Sequence, residues 1–417
     1  MAGTRALLAP TTFVSPAYDG GSLVNLPPTV GRALGVADGW AAVPLSADHG
    51  LEDVQTRRLL LLVIDGLGRA ALQRSHGAGA RLRELLTRCG ARTTTLTSVA
   101  PATTTVATTA LLGNGATPAE TGLLGFSQRL PRLDLVANML FWTVPGQPAA
   151  LEARGVRPET FLATPSLFQV LEAGGVASAS FLPAAIAGSP LSRLQFRGAA
   201  PRGFHALGEA LRGAVSFVGS RRRAFAYVYL PDLDTVSHRE GPGGPGWERV
   251  LDRIVAELGS WLETAEGAAG ADTWVLLSAY HGLVATPPDQ RRLLSEVEGV
   301  QRLLDAPPAG EARHVYLYAR AGAKGDLLEL VSERLGDGFL VLDGHEALEA
   351  GLYGDPARRH PEAAARIGDV VVLARGGASL WLDDPATVLL GMHGSLEADE
   401  MQVPLFAFPL AAPALAG

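Results

Sequence analysis

Leu59-Leu60-Leu61-Leu62-Val63-Ile64-Asp65-Gly66-Leu67-Gly68 joins six apolar residues to a carboxylate and a glycine-bracketed turn. A run without polar alternation reads as a strand buried on both faces, the pattern of a parallel-sheet interior. Asp65 stands at its C-terminal end, and open α/β sheets bind ligands along that edge. Two readings of Asp65 follow, a metal ligand or the cap of the next helix, and this stretch alone weighs them equally.

Two further buried strands repeat the arrangement. Ala224–Leu230 runs into Pro231-Asp232-Leu233-Asp234-Thr235-Val236-Ser237-His238, and Thr273–Leu277 runs into Ser278-Ala279-Tyr280-His281-Gly282. The sheet is expected to resume with Asp369–Ala374, before a loop carrying Gly391-Met392-His393-Gly394. Neighbouring strand ends meet in space, which makes Asp65, Asp234, His238, His281 and His393 one candidate constellation. Taken singly, each histidine is more often a surface or hydrogen-bonded residue. Imidazole with carboxylate suits Zn²⁺, or Mn²⁺ where oxygens dominate. Between the first two strands, Pro101-Ala102-Thr103-Thr104-Thr105 starts a helix with a threonine hydroxyl near its N-cap. Backbone N–H groups converge there, so such a hydroxyl could attack a phosphate that they hold; capping is the plain alternative.

Composition narrows the field. A chain of 417 residues, 47% hydrophobic and 18% charged, is an ordinary globular enzyme-sized protein. A net charge of −7 argues against a nucleic-acid-binding surface. Arg221-Arg222-Arg223 is the one basic run and reads as a solvated junction. Lys324 is the single lysine, which removes the phosphate-loop lysine and Schiff-base chemistry. No G-x-G-x-x-G follows a strand, and no G-x-S-x-G elbow occurs. Cys89, the one cysteine, excludes an internal disulfide and points to a reducing compartment. No signal-peptide pattern precedes Pro10, and no apolar run is long enough to span a membrane. The apolar tail from Val403 is interrupted by Pro404, Pro409 and Pro413. These features lead us to expect a soluble cytoplasmic protein without a membrane partner; oligomeric state is not legible.

Residues 1–55, rich in proline and glycine, read as an arm on the core, with a short helical pattern near Leu26–Leu34. Asp48-His49-Gly50 lies in that arm, ahead of the first core strand, and is set aside. Arg69–Cys89 has helical spacing, as do Ser166–Gly174, Phe204–Val218 and Trp247–Leu262; Val176–Leu182 reads as a strand. Within 286–367, strands His314–Tyr318 and Phe339–Leu342 flank a helix Lys324–Leu335, which predicts a small α+β cap inserted into a core of 56–285 and 368–417.

The order of these motifs resembles the alkaline phosphatase superfamily, in its nucleotide pyrophosphatase/phosphodiesterase-like branch. The resemblance spans nearly the whole chain. It rests on Val63-Ile64-Asp65-Gly66, the Pro-x-Thr-Thr stretch, Thr117-Pro118-Ala119-Glu120-Thr121-Gly122-Leu123-Leu124-Gly125, Asp234-x-x-x-His238 with Gly241-Pro242, and His393-Gly394 before Glu397–Pro404. It implies a mostly parallel sheet between helices and a site with two divalent ions, usually zinc, with manganese or magnesium as alternatives. By position, Asp234, His238 and His393 would hold one ion. Asp65, His281 and the nucleophilic threonine would contribute to the other. The implied reaction is hydrolysis of a small phosphate ester or nucleotide, through in-line attack of the threonine hydroxyl on phosphorus.

Two departures qualify the match. The family's third strand ends in Asp-His-Gly, whereas this one ends in Tyr280-His281-Gly282. A phenol is a rare zinc ligand, so the second ion would be weak, absent or held differently, or Tyr280 would turn into the core. The nucleophile's register is also ambiguous: counting from Pro101 favours Thr104, counting back from Asn114-Gly115 favours Thr105, and Thr103 is the remaining alternative. The helix start fixes the geometry, so Thr104 is preferred. The expected activity is a phosphodiesterase or nucleotide pyrophosphatase. The alternatives are a phosphomonoesterase or phosphonate hydrolase on the same site, and a catalytically impaired homologue that binds phosphorylated ligands.

Overall fold

The computed structural model describes residues 2–9, 11–199, 201–269, 272–382 and 388–410. Its central sheet has seven strands: β1 (Arg58–Ile64), β2 (Arg92–Thr97), β3 (Ala177–Pro183), β4 (Pro201–Phe204), β5 (Ala224–Leu230), β6 (Thr273–Ser278) and β7 (Gln402–Pro409). They lie in the order β2-β7-β6-β1-β5-β3-β4. Strand β1 pairs in parallel with both β6 and β5, and Leu60 stands opposite Val275 and Ala226. Only β7 runs against its neighbours. The α/β class and the mostly parallel sheet are therefore as expected. Leu59 to Ile64 are buried throughout, and they share one core with Phe225, Val275, Phe406 and, from the N-terminal segment, Leu23, Val24, Leu26 and Val30.

The apolar tail is used as strand β7. Pro404 is tolerated because the ladder to β6 stops at Phe406, so Pro404 pairs only with Thr95 of β2, and Pro409 ends the strand. The helix expected over Arg69–Cys89 is broken into Arg69–Arg74 and Ala78–Arg88. Glu248, from a distant helix, accepts from Ser75 Oγ at 2.5 Å and from the Ala78 N–H at 2.6 Å, capping the second piece. Among the described residues, no helix is long and apolar enough to cross a membrane.

A second sheet corrects one expectation. Val370–Ala374 does not rejoin the central sheet; it pairs antiparallel with His314–Leu317 on one side and Phe339–Asp343 on the other. An unbroken apolar run shows that a strand is covered on both faces, not which sheet it enters. Here Val371 and Leu373 face Leu348 and Tyr353, while Val370 and Val372 face Leu327 and Val331 of the helix Lys324–Leu335. The same sheet continues through Ala309–Glu311 into Ser127–Leu130, Leu135–Asn138, Thr143–Val144 and Gln147–Ala150. It thus draws on two separated stretches of chain.

The layers are tied by a buried ion pair. Arg313 Nε and Nη2 reach the two carboxylate oxygens of Glu400 at 2.7 and 2.8 Å, and both side chains are fully buried. Glu400 also accepts the Ser395 N–H at 3.0 Å through its carboxylate and the Gly282 N–H at 2.9 Å through its carbonyl. Removing one partner strands a charge. Glu400→Ala is expected to cost about 3–5 kcal/mol, whereas Arg313→Met with Glu400→Leu costs less, both read by urea unfolding.

Candidate active site

Strand β1 delivers Asp65 to the sheet's C-terminal edge, where its N–H bonds Leu230 O at 2.9 Å. Gly66 follows with φ +75°, and a Cβ there would lie 2.8 Å from the Asp234 Cα. Only glycine admits this approach. Asp234 and His238 are not on a strand end: both belong to helix α2 (Asp232–Glu240), which begins directly after β5. Their spacing of four places them on one helical face, with His238 Nε2 3.5 Å from Asp234 Oδ2. His281 follows β6, and His393 sits in a loop beyond the two-residue strand Gly391–Met392.

The five candidate ligands meet as expected. Asp234, His238 and His393 form one group and Asp65, Asp234 and His281 another, with the ligand atoms of each group within 4.8 Å of one another. The rings of His281 and His393 stack at 3.6 Å between centroids. Each histidine uses Nδ1 on a carbonyl: His238 on Gly391 at 2.8 Å, His281 on Gly282 at 3.1 Å, His393 on Ala102 at 2.9 Å. A carbonyl only accepts, so Nδ1 carries the proton and the Nε2 lone pair is left facing the cluster. Burial pushes all three imidazoles down, His281 to about 3, which keeps them in the neutral, ligand form.

The carboxylates are pushed the other way. Burial raises Asp65 to about 6, against the hydrogen bond from Tyr229, and burial with the Asp65 charge raises Asp234 well above its ordinary range. Among the described residues, both pair with histidines only, and Oδ1 of each is buried without a hydrogen-bond partner. Two orphaned carboxylate oxygens facing three imidazole Nε2 lone pairs fit a divalent cation, because the histidines are already in their ligating form and a bound cation would supply the charge that buried carboxylates need to stay ionised.

Helix α1 (Thr104–Leu112) starts beside this cluster, with Thr103 as its N-cap. Thr104 Oγ1 lies 3.0 Å from His281 Nε2 and 3.5 Å from Asp65 Oδ2. Neither alternative threonine does this: the Thr105 hydroxyl is buried without a partner, and Thr103 turns to the Glu311 carboxyl. Tyr280 does not join the donors. It is buried, and its hydroxyl meets that of Tyr227. Tyr229 was not anticipated, yet its hydroxyl donates to Asp65 Oδ2 at 2.6 Å. Its place one residue before the end of β5 was the available signal. Glu311, whose carboxyl packs beside Thr103 and Gly394, offered none.

Two cavities accompany this geometry. The larger, about 360 Å³, lies at β2 among Arg69, Arg83 and Thr93, away from every candidate ligand. The smaller, about 80 Å³, opens on Thr104 and is walled by Tyr229, Tyr280, Leu182, Ile186 and Phe196, with no charged side chain in its lining. Of these two cavities, the smaller is the one that reaches the Thr104 hydroxyl.

A family model described as type I phosphodiesterase / nucleotide pyrophosphatase matches residues 59–396, the span that holds all of these groups. The chain belongs to that family. Its fold is shared with murine ectonucleotide pyrophosphatase / phosphodiesterase 5, solved as an inactive variant with AMP (14% identity, 84% of this chain and 87% of that one, TM-score 0.62). It is shared too with phosphonoacetate hydrolase from Sinorhizobium meliloti 1021, solved with phosphonoformate (18% identity, 84% and 90%, TM-score 0.59). The human counterpart of the murine protein gives a TM-score of 0.60 at 14% identity and the same coverage. No curated protein sequence matches the chain. In this phosphodiesterase family member, the raised Asp65 has a thermodynamic consequence. Its stabilising share is full below the ordinary 3.8 and is lost as pH rises through about 6. Metal-free Asp65→Asn is therefore expected to be more stable than the unchanged protein at pH 8, by about 3 kcal/mol, with the advantage gone at pH 4; urea unfolding at the two pH values measures it.

Proposed function

We propose that this protein is a metal-dependent phosphodiesterase or nucleotide pyrophosphatase with Thr104 as nucleophile. The observation that carries the reading is the Thr104 hydroxyl at the first residue of α1, 3.0 Å from His281 and against the Asp65 carboxylate. Asp234, His238 and His393 would hold one divalent ion, zinc by the chemistry of the donor set, and Asp65, Asp234 and His281 would offer a place for a second. When bound, such ions neutralise the phosphoryl oxygens and lower the pKa of a coordinated hydroxyl or water.

The protein's own groups do the rest. The N–H groups at the start of α1 hold the phosphoryl oxygens. Thr104 Oγ1 gives up its proton to solvent and attacks phosphorus. The P–O bond to the leaving group breaks on the opposite side, with its electron pair going to the departing oxygen, which takes a proton from water. A second water later releases the phosphoryl group and restores the threonine hydroxyl. The uncharged cavity beside Thr104 receives the organic part of the ester. The AMP bound by the murine relative supports a nucleotide as the substrate class. His281 as a general base is the competing role, and the same 3.0 Å contact favours it. A group whose pKa is pushed to about 3 is a poor base at neutral pH, which supports the ligand role.

Charge argues for one tightly held ion. Asp65 and Asp234 supply two negative charges, balanced by a single divalent cation, and Tyr280 stands where the resemblance implies a third carboxylate. A cytoplasmic location remains part of this reading, on the strength of the single cysteine.

Zinc-loaded protein is expected to turn over bis-p-nitrophenyl phosphate faster than p-nitrophenyl phosphate. Faster monoester turnover would sink the diesterase reading in favour of a monoesterase. Thr104→Ala should lower kcat by about 10³-fold or more, and one zinc per chain should rise to two in Tyr280→Asp, as read by elemental analysis. A full-rate Thr104→Ala would remove the nucleophile assignment.

A further inference from the structure

His393 follows a strand of only two residues, Gly391–Met392, so what holds its loop decides the shape of the first candidate ligand group. One clasp is local. Ala102 donates its N–H to Gly394 O at 3.1 Å and accepts His393 Nδ1–H at 2.9 Å. The other comes from the second sheet, where a hairpin turns Glu311, Arg313 and His314 onto residues 394–400. His314 Nδ1 lies 3.2 Å from the same Gly394 carbonyl. The Glu311 carboxyl carbon lies 2.8 Å from where a Cβ of residue 394 would stand, at φ +129°, so only glycine fits. Arg313 orients Glu400, which in turn accepts the Ser395 N–H at 3.0 Å.

The tautomer of His314 follows from its partners. Burial pushes this imidazole down to about 3, so it is neutral. Its Nδ1 faces a carbonyl and must donate. Its Nε2, 2.8 Å from the Tyr353 hydroxyl, must then accept from the tyrosine. The ring is pinned at both ends, with a directed donor on the ligand loop. Groups bonded directly to a ligand, as Ala102 O is to His393, are worth about 10–100-fold in metal affinity, and His314 acts on that clasp through the Gly394 carbonyl it shares with the Ala102 N–H.

We propose that His314 is a positioning residue for the metal centre: its Nδ1–H···O bond to Gly394 sets the orientation of His393 and hence the affinity of the Asp234, His238 and His393 group for a divalent ion. This rests on the metal-dependent reading above. It assigns a role at the site to a sheet that supplies none of the candidate ligands.

The two amide replacements separate the ends of the ring. Asn places its N–H₂ where Nδ1 was and abandons Tyr353; Gln places its N–H₂ near the former Nε2 and abandons Gly394. Zinc affinity is read by competition with a chromogenic chelator, and stability by thermal unfolding of the metal-free protein. His314→Gln should lose about 10–100-fold in zinc affinity, while His314→Asn stays near the unchanged protein, whichever of the two melts lower. Equal zinc affinity in both, or losses that simply follow melting temperature, would overturn the proposal. Tyr353→Phe, which frees the far end of the ring, should shift zinc affinity in the same direction as His314→Gln. If neither His314 variant folds, an unshifted Tyr353→Phe overturns the proposal. If the unchanged protein itself binds no zinc, the metal-dependent reading falls and this inference with it; zinc binding that ignores His314 sinks this inference alone.

Discussion

Two carboxylates, Asp65 and Asp234, are buried at the edge of the central sheet, each with an oxygen that no protein donor satisfies. Leaving such a group unpaired costs several kcal/mol, and the fold accepts this at the residues that strand β1 and the close approach of helix α2 to Gly66 bring together. The surrounding features read as accommodations to a missing positive charge. Three imidazoles are kept neutral by burial, and each spends its proton on a carbonyl, so that none competes for the role of cation. The contrast lies in the same molecule. Glu400 is as deeply buried, yet Arg313 meets both its oxygens. One carboxylate is completed by the protein and ties its layers; the two at the candidate site each keep an oxygen without a hydrogen-bond partner among the described residues.

Tyr280 changes the balance without breaking the arrangement. It turns away from the donors and joins Tyr227 and Tyr229 in the wall of the cavity beside Thr104. Two consequences follow from one substitution of type. The site loses a negative charge, which weakens the case for two ions. The cavity gains an apolar wall, which favours an uncharged organic group on the substrate. Tyr229, by donating to Asp65 Oδ2, takes part of the lone-pair capacity that an ion would otherwise use and leaves Oδ1 as the free oxygen.

The candidate ligands were legible because their signals are local. An apolar run that ends in Asp65, the spacing of four between Asp234 and His238, and a proline followed by threonines each state their geometry within a few residues. The competing registers of Thr104 and Thr105 were separable only in space, since which hydroxyl faces His281 depends on how α1 docks. The second sheet was less legible for a physical reason. Val370–Ala374 and Leu59–Ile64 are alike as sequences, both covered on two faces, and periodicity carries no information about which neighbour a strand will choose. The break between Arg74 and Ala78 was hidden in the same way, because its cap is Glu248, about 170 positions along the chain. Glu311 and His314 had no signal at all: their meaning lies in Gly394, 80 residues beyond His314.

That distribution explains where the site's precision comes from. Strand and helix ends can place Asp65, Asp234, His238 and His281 by backbone geometry alone, since each is at most a few residues from regular structure. His393 follows a strand of only two residues, Gly391–Met392. Its loop is held by a reciprocal pair of bonds to Ala102, next to the helix that presents Thr104, and by side chains of the second sheet. The clasp to Ala102 couples the candidate ligand to the proposed nucleophile: a movement of the loop carries Gly394 O, and with it the Ala102 N–H, two residues before Thr104. The candidate ligand group and the Thr104 hydroxyl are thereby kept in one register, as the proposed in-line attack would require, where misplacement of about 1 Å is enough to cost about 10²-fold in rate.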